Sequence, residues 1–136
     1  MKKRVVITGL GVISPVGNDI ASFWQSLKEG KSGVGPNTSF DPAGFDSRIA
    51  AEVKNFNPNQ YGISNKDIKR TARFVQFAIA SAKQAIESSG LDLNKEDRNR
   101  IGVIIGSGIG CLRTIEEEHK VLLNKGPSRL SPFLIP

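Results

Sequence analysis

The chain has 136 residues, of which 38% are hydrophobic and 24% are charged. That composition is ordinary for a soluble globular protein and argues against both an intrinsically disordered chain and a membrane-embedded one. The formal net charge is +6. The chain has few aromatic side chains to stack on bases and no recognisable nucleic-acid module, so its basic balance alone does not indicate nucleic-acid binding. The single cysteine excludes an internal disulfide and fits a reducing cytoplasm.

Two short apolar runs are predicted to be buried strands, residues 5–7 (VVI) and residues 101–105 (IGVII). A continuous apolar run bounded by turn residues is typical of a strand covered on both faces in a parallel sheet. Parallel neighbours need helical crossovers, so the chain is predicted to be an α/β protein. Two such strands leave open edges that natural domains avoid. We therefore expect the sheet to be incomplete in this chain and the chain to be the front part of a longer protein.

Three helices are predicted between and after these strands. Apolar residues at helical spacing predict a helix from Ile20 to Leu27, capped by Asn18 or Asp19 and ended by Gly30. A pattern resembling a capping box at Ser64 opens a long helix that is predicted to end at Gly90. A third helix follows residue 110 and ends at the Gly-Pro pair 126–127. Residues 48–53 are the one candidate for a further short strand.

A cationic cluster falls in the first turns of the predicted long helix: Lys66, Lys69, Arg70 and Arg73. Their spacing would place them on one helical face. Cations at a helix N-terminus oppose the macrodipole, which favours negative charge there. An external anion would explain the cluster, and so would an ordinary solvated surface. The residues alone leave both explanations open.

Two glycine loops follow the predicted strands, residues 9–14 and residues 106–110. Neither loop matches the nucleotide-binding motif that it superficially resembles. In the first loop Ser14 stands where the dinucleotide fingerprint needs glycine, and Pro15 delays the helix that should follow at once. The second loop, residues 106–110, lacks the Gly-Lys-Ser/Thr of a phosphate-binding loop. A nucleotide-binding oxidoreductase is therefore a disfavoured alternative.

Cys111 is the only thiol and begins a predicted helix, while His119 is the only histidine. Eight helical residues separate them by roughly 12 Å along the axis, too far for a nucleophile and its base. A lone cysteine is more often a small buried hydrophobe. We assign no catalytic residue in this chain.

Five segments, in their order and spacing, resemble the N-terminal part of the β-ketoacyl-[acyl carrier protein] synthases. The resemblance is strongest to the elongating type II condensing enzymes of bacterial fatty acid synthesis, and it covers the whole chain. The segments are residues 4–17 (RVVITGLGVISPVG), 24–33 (WQSLKEGKSG), 72–78 (ARFVQFA), 101–110 (IGVIIGSGIG) and 131–136 (SPFLIP).

The resemblance implies a thiolase-like fold, whose two similar halves each contribute a five-stranded sheet. Residues 1–136 would be the first part of the N-terminal half of one synthase domain, with no separate second domain. It also implies decarboxylative Claisen condensation, in which a cysteine carries the acyl chain and two histidines assist. None of these three residues is present, because the family's cysteine motif lies beyond Pro136 and Cys111 stands where the family usually has glycine. The full-length protein is expected to be an acyltransferase and this chain alone to be inactive.

The same resemblance implies roles in binding for five residues. Ile109 matches a position lining the fatty-acyl pocket, and Phe133 matches one that reaches the partner subunit's pocket across a homodimer interface. Lys66, Lys69 and Arg70 match the basic patch that docks the acidic acyl carrier protein. No cofactor or metal is implied, since substrates travel on the phosphopantetheine of the carrier protein. Neither nucleic acid nor a membrane is an expected partner, and a non-catalytic carrier-binding module remains an alternative function.

Overall fold

The computed structural model describes residues 3–134 of the chain. Its helices and strands are α1 (Ile20–Lys28), β1 (Val34–Pro36), β2 (Ile49–Ala51), α2 (Asn65–Ile68), α3 (Arg73–Ser89) and α4 (Leu112–Lys125). Three short 3₁₀ turns cover Pro58–Tyr61, Arg98–Arg100 and Pro127–Arg129. The chain divides into two compact units. The first holds the described residues up to Asn57 together with Ala80–Asp92, and the second holds Pro58–Ile79 together with the described residues from Leu93 onward.

In the first unit, α1 forms as the sequence predicts. The Asp19 carboxylate caps the helix by accepting a hydrogen bond from the Ser22 amide at 2.8 Å. That bond, with a second one from the Ser22 hydroxyl, lowers the pKa of Asp19. Gly30 follows the helix at φ +64°, a conformation that glycine adopts without strain. Both predicted ends of the helix are therefore confirmed to within two residues.

The only sheet among residues 3–134 is a two-stranded antiparallel one, β1 with β2. Its register pairs Val34 with Ala51 and Pro36 with Ile49. The short strand predicted within residues 48–53 is thus confirmed.

The predicted parallel strands do not form a sheet in the described part of the chain. Residues 5–7 and 101–105 have no regular secondary structure and belong to no sheet. Val5 is 92% exposed and Ile104 is 100% exposed. A strand exists only where neighbouring backbone satisfies its N–H and C=O groups, and residues 3–134 supply no such neighbour to either run. The expectation of paired parallel strands is therefore corrected, while the expectation of an incomplete sheet matches the exposed apolar runs.

Side chains of α3 form hydrogen bonds with backbone amides of the first glycine loop, which a neighbouring strand would otherwise bond. The Leu10 amide donates to the Ser88 hydroxyl at 2.9 Å, and the Val12 amide donates to the Gln84 side-chain oxygen at 3.1 Å. The Gln84 amide in turn donates to the Asn18 carbonyl at 2.8 Å. The loop can lie this close because it has glycine at position 11, where a Cβ would overlap the backbone carbonyl of Ser81.

In the second unit, the predicted long helix is interrupted. The helix α2 ends at Ile68, and α3 begins only at Arg73. The buried side chain of Gln76 donates to the carbonyls of Ile68 at 3.2 Å and Thr71 at 2.9 Å, which a continuous helix would have bonded to backbone amides. The prediction of one helix from Ser64 to Gly90 is therefore wrong. Its capped start and its glycine end are confirmed.

The helix α4 begins after Gly110, with Cys111 at the N-cap, and ends at Gly126. The Glu118 side chain accepts a hydrogen bond from the Ser131 amide at 2.7 Å, which ties the segment after the helix back to it. Residues 135 and 136, the last two of the segment 131–136, lie outside the described part of the chain. None of the helices within residues 3–134 combines the length and the apolar character needed to cross a bilayer.

We predict that Gly11→Ala destabilises the first unit by about 1–3 kcal/mol, because the added methyl group forces the glycine loop away from α3. Thermal unfolding followed by circular dichroism measures the loss. Gly102→Ala is the matched control, since a Cβ there meets nothing within 4 Å. Equal unfolding temperatures for the Gly11 and Gly102 variants would contradict the close approach seen here.

Glu52, which directly follows β2, holds the loop after β1. Its carboxylate accepts hydrogen bonds from the hydroxyl and the amide of both Ser39 and Thr38. These bonds, first the one from the Ser39 hydroxyl, lower the pKa of Glu52 from 4.5 to about 2.

Because the pKa of Glu52 is lower in the folded loop than in the unfolded chain, ionised Glu52 stabilises the folded loop at pH values above 4.5. This stabilisation is lost as the pH falls from 4.5 towards 2. We predict that Glu52→Gln removes this part of the acid dependence of unfolding. Carboxyl carbon NMR of Glu52 in the wild-type chain reports the pKa directly. A midpoint near 4.5 would show that the four hydrogen bonds do not persist in solution.

Candidate functional site: a cavity with apolar walls and a cationic rim

The second unit contains a cavity of about 380 Å³. Four segments line it: the turn between α2 and α3 with the first residues of α3, the glycine loop that leads into α4, α4 itself, and the chain after α4. Its lining residues include Lys69, Arg70, Ile109, Cys111, Glu118 and Phe133. A volume of this size falls at the lower end of the range for small-ligand pockets.

The structure brings together the two residues expected in an acyl pocket. Ile109 and Phe133 line the same cavity, with 71% and 42% of their surfaces exposed. The Phe133 amide donates to the Ser131 hydroxyl at 3.2 Å, and the Ser131 amide is itself bonded to Glu118. The aromatic ring is thus held on a segment anchored to α4. The resemblance puts Phe133 in the pocket of a partner subunit, whereas here it lines a cavity of its own chain.

The interruption between α2 and α3 redistributes the cationic cluster. Lys66 is exposed on α2 and is not among the residues lining the cavity, whereas Lys69 and Arg70 lie in the turn and line it. Arg73 begins α3, and its guanidinium stacks over the Phe77 ring at 5.0 Å. The prediction of four cations on one face of a continuous helix is therefore wrong, because the helix on which the spacing was counted is not continuous.

Arg70 also contacts the apolar wall directly. Its guanidinium carbon lies 4.8 Å from the centroid of the Phe133 ring, within the range of a cation–π interaction. One predicted docking residue and one predicted pocket residue therefore touch each other. Sequence reasoning missed this contact because nothing in the spacing of residues 63 positions apart signals it.

Two carboxylates share the cavity with these cations. Glu117 forms an ion pair with Arg113 at 2.8 Å on the same helix, and Glu118 accepts the Ser131 amide. Both acidic side chains thus have partners on α4 or on the segment that follows it. The exposed side chains of Lys69 and Arg70 add positive charge to this lining and form what we call its cationic rim.

The cavity does not assemble a nucleophile with a base. Cys111 lines it, but His119 lies two turns further along α4 and lines an adjoining cavity with Leu122 and Leu130. Among residues 3–134, no group of histidine, cysteine and acidic side chains is placed to hold a metal ion. The arrangement suits binding of an apolar group beside an anionic partner.

The chain matches, over residues 2–136, the family described as the N-terminal domain of beta-ketoacyl synthase. It is 53% identical over 135 residues to 3-oxoacyl-[acyl-carrier-protein] synthase 2 of Coxiella burnetii, and 48% identical to the protein of that name in Vibrio cholerae. Each alignment covers 99% of this chain and 32% of the relative. The chain therefore spans about a third of the length of the curated relatives it matches.

Solved structures agree with these relatives. The ishigamide ketosynthase/chain length factor superposes with a TM-score of 0.75 at 30% identity, covering 95% of this chain and 32% of that one. A type II polyketide synthase acyl-carrier protein in complex with its ketosynthase, bound to the hexaketide, gives a TM-score of 0.69 at 27% identity. That match covers 98% of this chain and 34% of the other. The thiolase-like α/β fold expected from the sequence is confirmed, and the chain belongs to the beta-ketoacyl synthase family, whose N-terminal domain it matches.

Proposed function

We propose that this chain is the N-terminal part of a 3-oxoacyl-[acyl-carrier-protein] synthase. The complete enzyme would elongate fatty acyl chains by decarboxylative Claisen condensation of an acyl-enzyme with malonyl-[acyl carrier protein]. One observation carries the proposal. A single cavity is lined by the apolar side chains of Ile109 and Phe133 and by the exposed cations Lys69 and Arg70. An acyl chain and an acidic protein need these two surfaces side by side.

The apolar wall would receive the acyl chain. Ile109 and Phe133 leave large parts of their side chains uncovered. Burying that surface against methylene groups is favourable by about 25 cal/mol per Å² of apolar area removed from water. We propose Ile109 and Phe133 as acyl-pocket residues on this ground, together with their match to the family pattern.

The cationic rim would receive the acyl carrier protein. Lys66, Lys69 and Arg70 are all exposed and lie within five positions of one another. Exposed cations attract an acidic partner over roughly 8 Å at physiological ionic strength. The ketosynthase in complex with an acyl-carrier protein shows that a structural relative makes such an assembly. We propose these three residues as the docking patch of this chain.

The condensing chemistry would reside outside the 136 residues. Cys111 and His119 line adjoining cavities two helical turns apart, so the described residues pair no thiol with a histidine base. In the proposed function, residues 1–136 are one portion of a single cytoplasmic synthase domain that acts as a homodimer. The carrier's phosphopantetheine would deliver the substrate, and the synthase would need no cofactor of its own.

We predict that the 136-residue chain has no condensing activity with malonyl- and acyl-carrier substrates. A chimera in which it replaces the matched 135 residues of the Coxiella burnetii enzyme should be active, because the replaced surfaces bind substrate and the remaining two thirds supply the chemistry. Release of labelled carbon dioxide from malonyl-[acyl carrier protein] measures the condensing activity of the 136-residue chain and of the chimera. A carrier-binding module without catalysis predicts a folded but inactive chimera. Activity of the 136 residues alone that is lost in Cys111→Ala would overturn the assignment.

A second prediction concerns the docking patch in that chimera. Each exposed ion pair contributes only about 0.2–1 kcal/mol, so single alanine changes at Lys66 or Lys69 should have small effects. Reversing both charges, Lys66→Glu with Lys69→Glu, adds repulsion and should weaken carrier binding more than tenfold, or about 1.4 kcal/mol. The loss should shrink as salt screens the charges. Arg70 is left intact here because it also contacts Phe133.

The matched control reverses two exposed cations of α4 that do not line the cavity, Lys120→Glu with Lys125→Glu. The control changes the net charge by the same amount as the patch variant. If carrier binding is specific to the patch, the control should lose much less affinity for the carrier than the patch variant does. Turnover of a carrier-linked thioester is compared with that of a free acyl thioester at low and high salt. Equal losses on both substrates, or a loss indifferent to salt, would mean that the patch has a structural role only.

A further inference from the structure

We propose that Gln76 is a positioning residue for carrier recognition, because its buried side-chain amide holds the turn on which Lys69 and Arg70 lie. This inference rests on the proposed function and deepens it. It gives a residue that the carrier does not touch a measurable effect on how the carrier binds. Gln76 is the one polar residue among positions 3–134 that is almost wholly buried, with 6% of its surface exposed.

The sequence of the turn does not by itself end the helix α2. Residues 69–72 (KRTA) contain neither glycine nor proline, and three of the four are good helix formers. The interruption therefore has its cause outside the turn. The Gln76 side chain supplies that cause by donating to the carbonyls of Ile68 at 3.2 Å and Thr71 at 2.9 Å. A continuous helix would bond the same two carbonyls to backbone amides four residues further on.

A glutamine side chain has the chemistry to hold such a turn. Its amide nitrogen carries two N–H donors, so it can bond two carbonyls at once. The Thr71 hydroxyl and the Thr71 amide both donate to the Asp67 carbonyl, at 2.7 Å and 2.9 Å, which ties the turn to α2. The two Gln76 bonds tie the turn to α3. An apolar side chain of the same length would fill the same space without offering a donor.

The turn determines how the three docking cations are arranged. Lys66 lies on α2, whereas Lys69 and Arg70 lie between the ends of α2 and α3, and all three are exposed. Without the Gln76 bonds we expect residues 69–72 to continue the helix, in which successive residues are rotated by about 100°. The cations would keep their charges but change their relative positions. Because a single exposed ion pair is weak, an acidic partner depends on several cations in one arrangement.

The test measures binding of fluorescently labelled holo acyl carrier protein to the 136-residue chain by anisotropy at low salt. Gln76→Met keeps the length of the side chain but removes both donors, and it should weaken binding about three- to tenfold. Gln84→Met is the matched control, since Gln84 is also on α3 but bonds the first glycine loop. The control should bind the carrier as the wild type does. Equal losses for the two variants would show general destabilisation and would overturn the inference.

A double-mutant cycle separates positioning of the cations from a general structural role. In the background Lys69→Ala with Arg70→Ala, Gln76→Met should have no further effect on carrier binding, because the cations that it positions are absent. The same loss in both backgrounds would contradict the inference. If the wild-type chain binds the carrier and Gln76→Met binds it equally well, the inference fails and the proposed docking function stands. If the wild-type chain does not bind the carrier, the proposed docking function fails, and the inference fails with it.

A second readout needs no carrier. By NMR, the side-chain amide protons of Gln76 should exchange with solvent at least about tenfold more slowly than those of Gln60, which is exposed. In Gln76→Met, the Cα chemical shifts of residues 69–72 should move towards helical values. Fast exchange at Gln76 in the wild type, or an unchanged turn in the variant, would show that this glutamine does not hold the turn, and the inference would be wrong.

Discussion

The site depends on one buried amide, the side chain of Gln76. It is only 6% exposed, and it donates to the carbonyls of Ile68 and Thr71. Those bonds end α2 and delay α3, so Lys69 and Arg70 lie in a turn beside the cavity. In a continuous helix, Lys69 and Arg70 would occupy positions on the helix surface instead of lying in a turn. Losing both bonds would leave the buried Gln76 amide unsatisfied, at a cost of about 1–3 kcal/mol.

The two compact units are stabilised by different contacts. In the first, glycines 9 and 11 allow the initial loop to pack on α3, and helix side chains satisfy backbone amides that a strand would otherwise bond. In the second, the interrupted helix and the segment after α4 enclose the cavity. The chain thus builds surfaces for binding. The apolar runs at residues 5–7 and 101–105 are exposed and pair with no strand in the described part of the chain.

Local signals in the sequence predicted local structure well. The cap at Asn18 or Asp19, the capped start at Ser64 and the glycine ends at 30, 90 and 126 could be predicted, because each depends on neighbours within four residues, and the structure shows Asp19 as the cap. The interruption after Ile68 was not, since a glutamine at helical spacing looks like any other helical residue. The strand pairing also could not be settled from residues 5–7 and 101–105, because a ladder depends on partners far along the chain. The roles of the five proposed site residues came from the resemblance, although the spacing alone had grouped Lys66, Lys69 and Arg70 as a cationic cluster. The contact between Arg70 and Phe133 came only from the structure.

We propose that the second unit presents a carrier-docking surface next to an acyl cavity. Titration of the ¹⁵N-labelled chain with unlabelled holo acyl carrier protein tests this proposal, because every amide reports its own environment. We predict that the largest chemical-shift changes fall on Lys66, Lys69, Arg70 and Phe133, and that these changes diminish at high salt. Changes confined to the first unit, or none at carrier concentrations that saturate a known synthase, would contradict it.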